Sequence, residues 1–343
     1  MDRLGIIFGG KSGEHEVSLL SAKAVIDAFK DSDHDLVLIG ITKEGKWKTY
    51  EGPTENIADG TWEETAEDFP LHELGEIIDF AFPVLHGPYG EDGTIQGLFE
   101  MMDIPYAGCG VLASALCMDK VAAKMIFERE GLPSCGYELV HGEDLKDGMD
   151  EVLDRLEKEL PYPMFVKPSN MGSSVGISKA RTREQLRSGL ITAAQYDRRI
   201  IVEEGLDCRE IETGVVGNYY PEAAAVGEII QKQDFYDYEA KYSDGAGTEL
   251  SIPASLPEET YEKIRELAVR AYKIMDCSGF SRVDFFVERN SGKIYLNEIN
   301  TIPGFTKYSM FPTLWKEAGV KFTELVERIV ELGYERYYAK NHR

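Results

Sequence analysis

The spacing of apolar and polar positions changes repeatedly along the chain, and each change marks an element. Leu4-Gly5-Ile6-Ile7-Phe8 is a short apolar run ending in Gly9-Gly10-Lys11-Ser12-Gly13-Glu14, after which apolar residues recur at helical spacing from Val17 to Lys30. That order predicts a strand, a glycine-rich turn and a helix. Asp35 to Ile41 and Ile77 to Leu85 read as strands, separated by a polar excursion from Lys43 to Pro70 that reads as hairpin and surface loop. Helices are predicted from Ile95 to Met102, Met118 to Glu130, Leu145 to Leu160, Arg183 to Gln195, Pro257 to Met275 and Phe322 to Tyr334. Strands are predicted from Arg199 to Glu204 and from Glu210 to Val216, and Gly108-Cys109-Gly110 reads as a hinge between domains. The chain falls in the α/β class.

Two runs rich in β-branched and aromatic residues, Ser281 to Val287 and Tyr295 to Asn300, flank the turn formers Asn290, Ser291 and Gly292 and predict an antiparallel hairpin. A turn centred on Ser291 sets Asp284 opposite Glu298 and Arg282 opposite Asn300, all on one face. Facing carboxylates among apolar residues repel, and a divalent cation removes that cost. Two carboxylates and an amide oxygen suit Mg²⁺ better than Zn²⁺, and Arg282 would then address an anion held by the same metal. A solvated edge hairpin is the alternative. Val283, Phe285 and Val287 on the opposite face argue for burial.

Several loops add candidate chemistry. The Gly9 to Ser18 turn has neither the dinucleotide-binding nor the P-loop spacing, but it places Glu14 at a helix N-terminus, either as a ligand for an ammonium or as a first-turn acid. His86 opens the loop Gly87-Pro88-Tyr89-Gly90-Glu91-Asp92-Gly93 beyond a strand end, where open α/β sheets bind ligands. Lys167 precedes the small-residue loop from Ser169 to Gly176, which reads as a flap over nucleotide phosphates or as an ordinary Gly/Ser hairpin. Glu203 could accept from an adenine amino group, with Leu206 against the ring and Glu210 on the ribose. The aromatic, charged stretch from Asp234 to Gly247 reads as a lid.

Composition narrows the classes. With 343 residues and 43% hydrophobic content the chain holds two or three domains, and a net charge of −24 argues against a nucleic-acid or anionic-membrane surface. Five widely spaced cysteines without a C-x-x-C pair fit reduced thiols, and no apolar run approaches membrane length, so a cytoplasmic protein is expected.

Taken in order, these motifs resemble the D-alanine:D-alanine ligases of the ATP-grasp superfamily over essentially the full length. The residues that carry the resemblance are Gly9-Gly10, Ser12, Glu14, Val17-Ser18, then His86-Gly87 and Gly90 to Gly93. Lys167-Pro168, Gly172-Ser173-Ser174 and Gly176 follow, with Tyr236-Asp237-Tyr238, Lys241-Tyr242, Arg282, Asp284, Asn297-Glu298, Asn300-Thr301 and Pro303-Gly304. The resemblance implies three α/β domains: a parallel-sheet substrate domain at 1–108, a central domain at 109–207, and a C-terminal domain at 208–343 with the metal site and a lid at 233–250. ATP would lie between the last two.

It also implies a reaction. ATP would phosphorylate one D-alanine, and the amine of a second would displace phosphate. By similarity Glu14 holds the first ammonium, Ser173 links it to Tyr242 on the lid, and Arg282 and the backbone near Gly304 meet the oxyanion. Ser309 binds the second carboxylate, and His86 and Met310 line the substrate site. Lys120, Lys167, Ser174 and Lys241 surround the phosphates, with Glu203, Leu206 and Glu210 on the nucleoside. Asp284, Glu298 and Asn300 hold Mg²⁺, two ions in the family, with Mn²⁺ able to replace them. The partners implied are D-alanine and a second copy of the chain as a homodimer. Glu239-Ala240-Lys241-Tyr242 and Met310 favour D-alanine as acceptor, whereas Gly40 to Trp47 and Cys277 to Ser281 resemble the D-serine ligases of vancomycin resistance, the alternative acceptor. Intact Arg282, Asp284, Glu298 and Lys167 speak against a non-catalytic ATP-binding relative, and Glu14 with Ser309 against an ATP-grasp carboxylase.

Overall fold

The structure is a computed structural model describing residues 2–231, 248–306 and 308–341. Lys241, Tyr242 and the 233–250 lid before Thr248 lie outside the described residues. The described strands form three sheets, and each sheet draws its strands from one of the three predicted segments.

In the first sheet, β1 (Arg3–Gly9) pairs in parallel with β2 (Asp35–Ile41) on one side and with β5 (Phe80–Val84) on the other. The sheet is not parallel throughout. β3 (Trp47–Tyr50) runs antiparallel to β2, and β4 (Glu67–Asp68) antiparallel to β3. The connection from Ile41 to Trp47 is too short for a crossover helix, and it closes as a hairpin turn with Gly45 at φ 86°. The predicted strand from Ile77 begins later, because Leu74–Ile77 is a helical turn.

The second sheet, in the order β6-β9-β7-β8, comprises β6 (Tyr137–His141), β7 (Met164–Pro168), β8 (Ser178–Ala180) and β9 (Arg199–Glu204), packed on helices Met149–Glu159 and Arg183–Ala193. The predicted helix from Leu145 to Leu160 is interrupted at Gly148, which separates Asp144–Asp147 from Met149–Glu159. The third sheet, β12-β11-β10-β13-β14, contains β10 (Cys208–Val216), β11 (Glu222–Gln231), β12 (Thr248–Ser251), β13 (Phe280–Glu288) and β14 (Ile294–Asn300).

The β13–β14 hairpin has the predicted pairing where the chemistry lies: Arg282 faces Asn300 and Asp284 faces Glu298. Nearer the turn the register shifts by one, so that Phe285 faces Leu296 and Asn297 becomes the extra residue of a bulge. A strict period of two would put Leu296 on the face of Glu298. The bulge breaks that period, and Leu296 packs in the core with Phe285, Val283 and Ile299.

Two helices were misjudged from sequence. Val111–Met118, apolar except for Ser114, follows the Gly108–Gly110 hinge in a stretch with no predicted element before Met118, and Phe322–Asn341 runs seven residues past the expected end at Tyr334. The latter closes the fold on itself. Its buried residues Leu325, Val326, Ile329 and Val330 join Phe8, Phe82, Phe305 and Phe311 in one core, so the last helices complete the face of the first sheet. Gly333 makes this approach possible, since a Cβ there would lie 2.5 Å from Phe80 Cζ and 2.6 Å from the Tyr106 carbonyl oxygen. Gly333→Ala should lower the melting temperature, because overpacking costs about 1–3 kcal/mol against the roughly 1 kcal/mol that Ala gains over Gly in a helix. A thermal melt equal to or above wild type would refute that close fit.

Candidate active site

Strand register assembles a line of carboxylates. Glu212 on β10 faces Asp284 on β13, which faces Glu298 on β14. Arg282, one strand repeat away, donates from Nε and Nη2 to the two Asp284 oxygens at 2.7 Å each, and its Nε lies 2.9 Å from Glu212 Oε2. Burial disfavours the guanidinium charge, yet Asp284 and then Glu212 overcome this and hold the Arg282 pKa well above its usual value. Glu212 was not singled out from sequence. It occupies an unremarkable alternating strand, and only the β10–β13 pairing reveals it.

Lysines occupy the next rank. Lys120 opens the helix Lys120–Arg129, whose N-cap Asp119 accepts from the Ala122 amide. Its Nζ donates to the Met171 carbonyl at 2.8 Å and lies 3.3 Å from Glu298 Oε2. Lys167 on β7 lies 2.5 Å from Glu203 Oε2, and Lys124 lies 2.9 Å from Glu203 Oε1. Burial would push the Glu203 carboxyl up, but Lys124 and then Lys167 dominate and hold it down at about 2. Leu206 and Glu210 follow in the chain, each half-buried.

The loop between β7 and β8 reaches the first sheet. Ser173 and Ser174 take positive φ values of 49° and 61°, turning successive amides the same way, and the Ser173 hydroxyl donates to Glu14. Glu14 sits as N-cap of His15–Phe29 but makes no cap hydrogen bond with its side chain. Glycines are required beside it. A Cβ at Gly87 would lie 2.5 Å from Glu14 Oε2, and one at Gly172 would lie 2.8 Å from the same atom.

His86 has both ring nitrogens engaged inside the protein. Nδ1 is 2.9 Å from the Ile302 carbonyl and Nε2 is 3.0 Å from Ser21 Oγ. Burial lowers its pKa, so the neutral ring donates to the carbonyl through Nδ1 and accepts the Ser21 hydroxyl at Nε2. It thereby pins the loop that carries Gly304. A Cβ at Gly304 would come within 2.8 Å of Ser309 Oγ, which itself accepts from the Thr306 amide at 3.1 Å. Ser309 caps the helix Met310–Glu317, whereas Met310 is buried in the core with its sulfur against Gly227.

Asp284, Glu298 and Asn300 present an all-oxygen donor set on adjacent strands, the chemistry that suits a hard divalent cation. Asn300 Oδ1 accepts from the Ile302 amide at 3.0 Å and keeps a further lone pair. Among the described residues no three His, Cys, Asp or Glu side chains form a metal cluster.

Carboxylates and basic side chains on paired strands, with a loop of turned amides on the neighbouring sheet, suit a metal–phosphate ligand such as a nucleotide. Sequence profiles described as D-ala D-ala ligase N-terminus and D-ala D-ala ligase C-terminus match residues 3–109 and 126–331. A D-alanine–D-alanine ligase of Ruminiclostridium cellulolyticum is 50% identical over 98% of this chain and 96% of its own. One from Acetivibrio thermocellus is 48% identical over 98% of this chain and 96% of its own. Among solved structures, the VanG D-Ala:D-Ser ligase of Enterococcus faecalis superposes with a TM-score of 0.88 at 36% identity, covering 97% of this chain and 99% of that one. The chain belongs to the D-alanine–D-alanine ligase family, ATP-dependent, ADP-forming enzymes that act on small molecules with a divalent metal.

The depressed Glu203 pKa carries a stability consequence. A folded-state value near 2 against an ordinary 4.5 means that this contribution is present above 4.5 and is lost as pH falls toward 2. Urea titrations between pH 5 and pH 2, scanned as an order-of-magnitude acid window, should show a flatter pH slope for Glu203→Gln than for wild type. Equal slopes would exclude the buried ion cluster as the acid-labile element.

Proposed function

We propose that this protein makes D-alanyl-D-alanine for peptidoglycan precursors in the cytoplasm, through a D-alanyl phosphate. The observation that supports it best is the meeting of Glu14 with Ser173, from loops of two different sheets, near enough to the Arg282 and Glu298 charges that all three act on the buried Glu91 carboxyl. An anionic subsite for an ammonium thus faces a cationic and metal-ready subsite for phosphate and carboxylate. That is the polarity an amino-acid carboxylate needs to accept a phosphoryl group.

In this reading Glu14 holds the ammonium of the first D-alanine and Ser173 fixes the Glu14 carboxylate, in line with the expected link to Tyr242. Lys120, Lys167, Ser174 and Lys241 orient the phosphates, while Glu203, Leu206 and Glu210 receive adenine and ribose. Asp284, Glu298 and Asn300 hold Mg²⁺, two ions with Mn²⁺ as a substitute, which when bound neutralises the charge on the phosphate oxygens. Arg282 and the backbone at Gly304 stabilise the carbonyl oxygen as the second amine attacks, and Ser309 binds the carboxylate of that second amino acid. His86 acts from behind by fixing the loop that carries Gly304. Domains bounded at 1–108, 109–207 and 208–343, and a homodimeric assembly, complete the reading.

D-Serine is the alternative acceptor, favoured by the structural similarity to the VanG ligase. Met310, apolar and buried, brings no charge to the acceptor side and fits D-alanine. Phosphate release from Mg·ATP, measured with D-alanine alone and with added D-serine or D-lactate, separates these outcomes once the product is identified by mass. Release with D-alanine alone and a homodipeptide product is expected. Turnover only with D-serine would replace the acceptor, and no release with any pair would overturn the ligase reading.

Loss of one buried charged hydrogen bond is worth about 1.5–3 kcal/mol, so Glu14→Gln or Arg282→Ala should cut kcat/KM by tenfold or more in a folded protein. Folded variants with wild-type kcat/KM would remove these residues from the site.

A further inference from the structure

Lys124 has no place in the reaction described above, yet it is one of the least exposed charged groups in the protein, at 1%. It lies one turn along the helix from Lys120, buried where Lys120 is only half-buried. Its Nζ meets Glu203 Oε1 at 2.9 Å and the Cys135 sulfur at 3.2 Å, and lies 5.9 Å from the centre of the Tyr137 ring. Glu203 therefore carries two ammonium partners, one per oxygen, while being 2% exposed.

The two lysines are not equivalent. Lys167 also feels the charge of Glu298 across the site, and it is 9% exposed against 1% for Lys124. When Lys167 turns toward a nucleotide phosphate, its bond to Glu203 weakens. A buried carboxylate left without a cation would either recapture Lys167 or take up a proton. Lys124 prevents both.

We infer that Lys124 is a positioning residue for nucleotide binding: it remains as the counter-ion of Glu203 and so frees Lys167 for the phosphates. The inference rests on the ligase reading for the role of Lys167. Glu203 would then keep its charge and its orientation toward the adenine whether or not Lys167 stays.

The test is a double-mutant cycle on nucleotide affinity, read by calorimetry with Mg²⁺ and the non-hydrolysable analogue adenylyl imidodiphosphate, with kcat measured alongside. Lys124→Met keeps most of the buried volume and removes the charge. It should weaken the analogue at least tenfold while kcat at saturating ATP changes much less. In the Glu203→Gln background the same Lys124→Met change should alter affinity less than threefold, because no carboxylate remains to hold Lys167. Equal losses in both backgrounds, or a fall in kcat without a change in affinity, would overturn the inference. If Lys124→Met alone does not fold, the comparison of Glu203→Gln with the double variant decides. Near-equal affinities support the inference, and a double variant that is weaker or unfolded overturns it, since the lysine stem rather than its charge would then be required. Wild-type turnover with D-alanine is scored separately: its absence would refute the ligase reading while the affinity cycle still decides the role of Lys124.

Discussion

The structure depends on how a line of carboxylates is kept tolerable inside a protein of net charge −24. Glu212, Asp284 and Glu298 are neighbours across three strands because β10, β13 and β14 pair in that register. Unpaired, partly buried carboxylates at such spacing would repel by several kcal/mol at an effective dielectric near 20. Arg282 between Glu212 and Asp284, and Lys120 beside Glu298, cancel that repulsion without any ligand. The fold can thus be stable while it keeps a metal and phosphate site ready. On the proposed reading, binding of Mg·ATP would be an exchange of partners, in which metal would replace basic side chains on the carboxylates and phosphate oxygens would receive those basic side chains.

The exchange is cheap only if the groups stay in place, and the surrounding packing secures this. His86 ties the end of the first sheet to the Ile302 carbonyl, and Ser12 donates to the His86 carbonyl at 2.6 Å, so the Glu14 loop and the Gly304 loop share one anchor. Gly87 and Gly172 let the Glu14 carboxylate sit close to two backbones, and a Cβ at either position would displace it. Each anchor uses a neutral donor or acceptor. The charged groups remain available for ligands.

Much of this was legible in the sequence, for identifiable reasons. The Arg282 to Asn300 pairing follows from turn chemistry and strand period, and strands β2 and β9 fall where their apolar runs begin and end. The bulge at Asn297 was not legible, because a single inserted residue leaves no periodic trace in so short a strand. Nor was Glu212, whose partner lies 72 residues away by subtraction of the paired numbers 284 and 212. The helix Val111–Met118 escaped because it depends on tertiary neighbours rather than on local period, whereas the hairpin read after Ile41 lies in the antiparallel edge of the first sheet. For His86 the sequence indicated the right loop but not the depth: burial and two internal partners make it a support.

The packing of Phe322–Asn341 on the first sheet also bears on how the chain is made. Phe8 and Phe82 belong to a core that is completed by Phe305, Phe311 and the residues from Leu325 to Val330. A ribosome adding roughly 5–20 residues per second reaches that helix some 240 residues after the strand that carries Phe82, by the difference between positions 322 and 82. For roughly 12–48 s at that rate the apolar face of the first sheet has its own first helix, His15–Phe29, against it but lacks the later residues that complete the core. The central and C-terminal sheets, each with its own helices, are synthesised within that interval, so the beginning of the chain is among the last parts to be sealed.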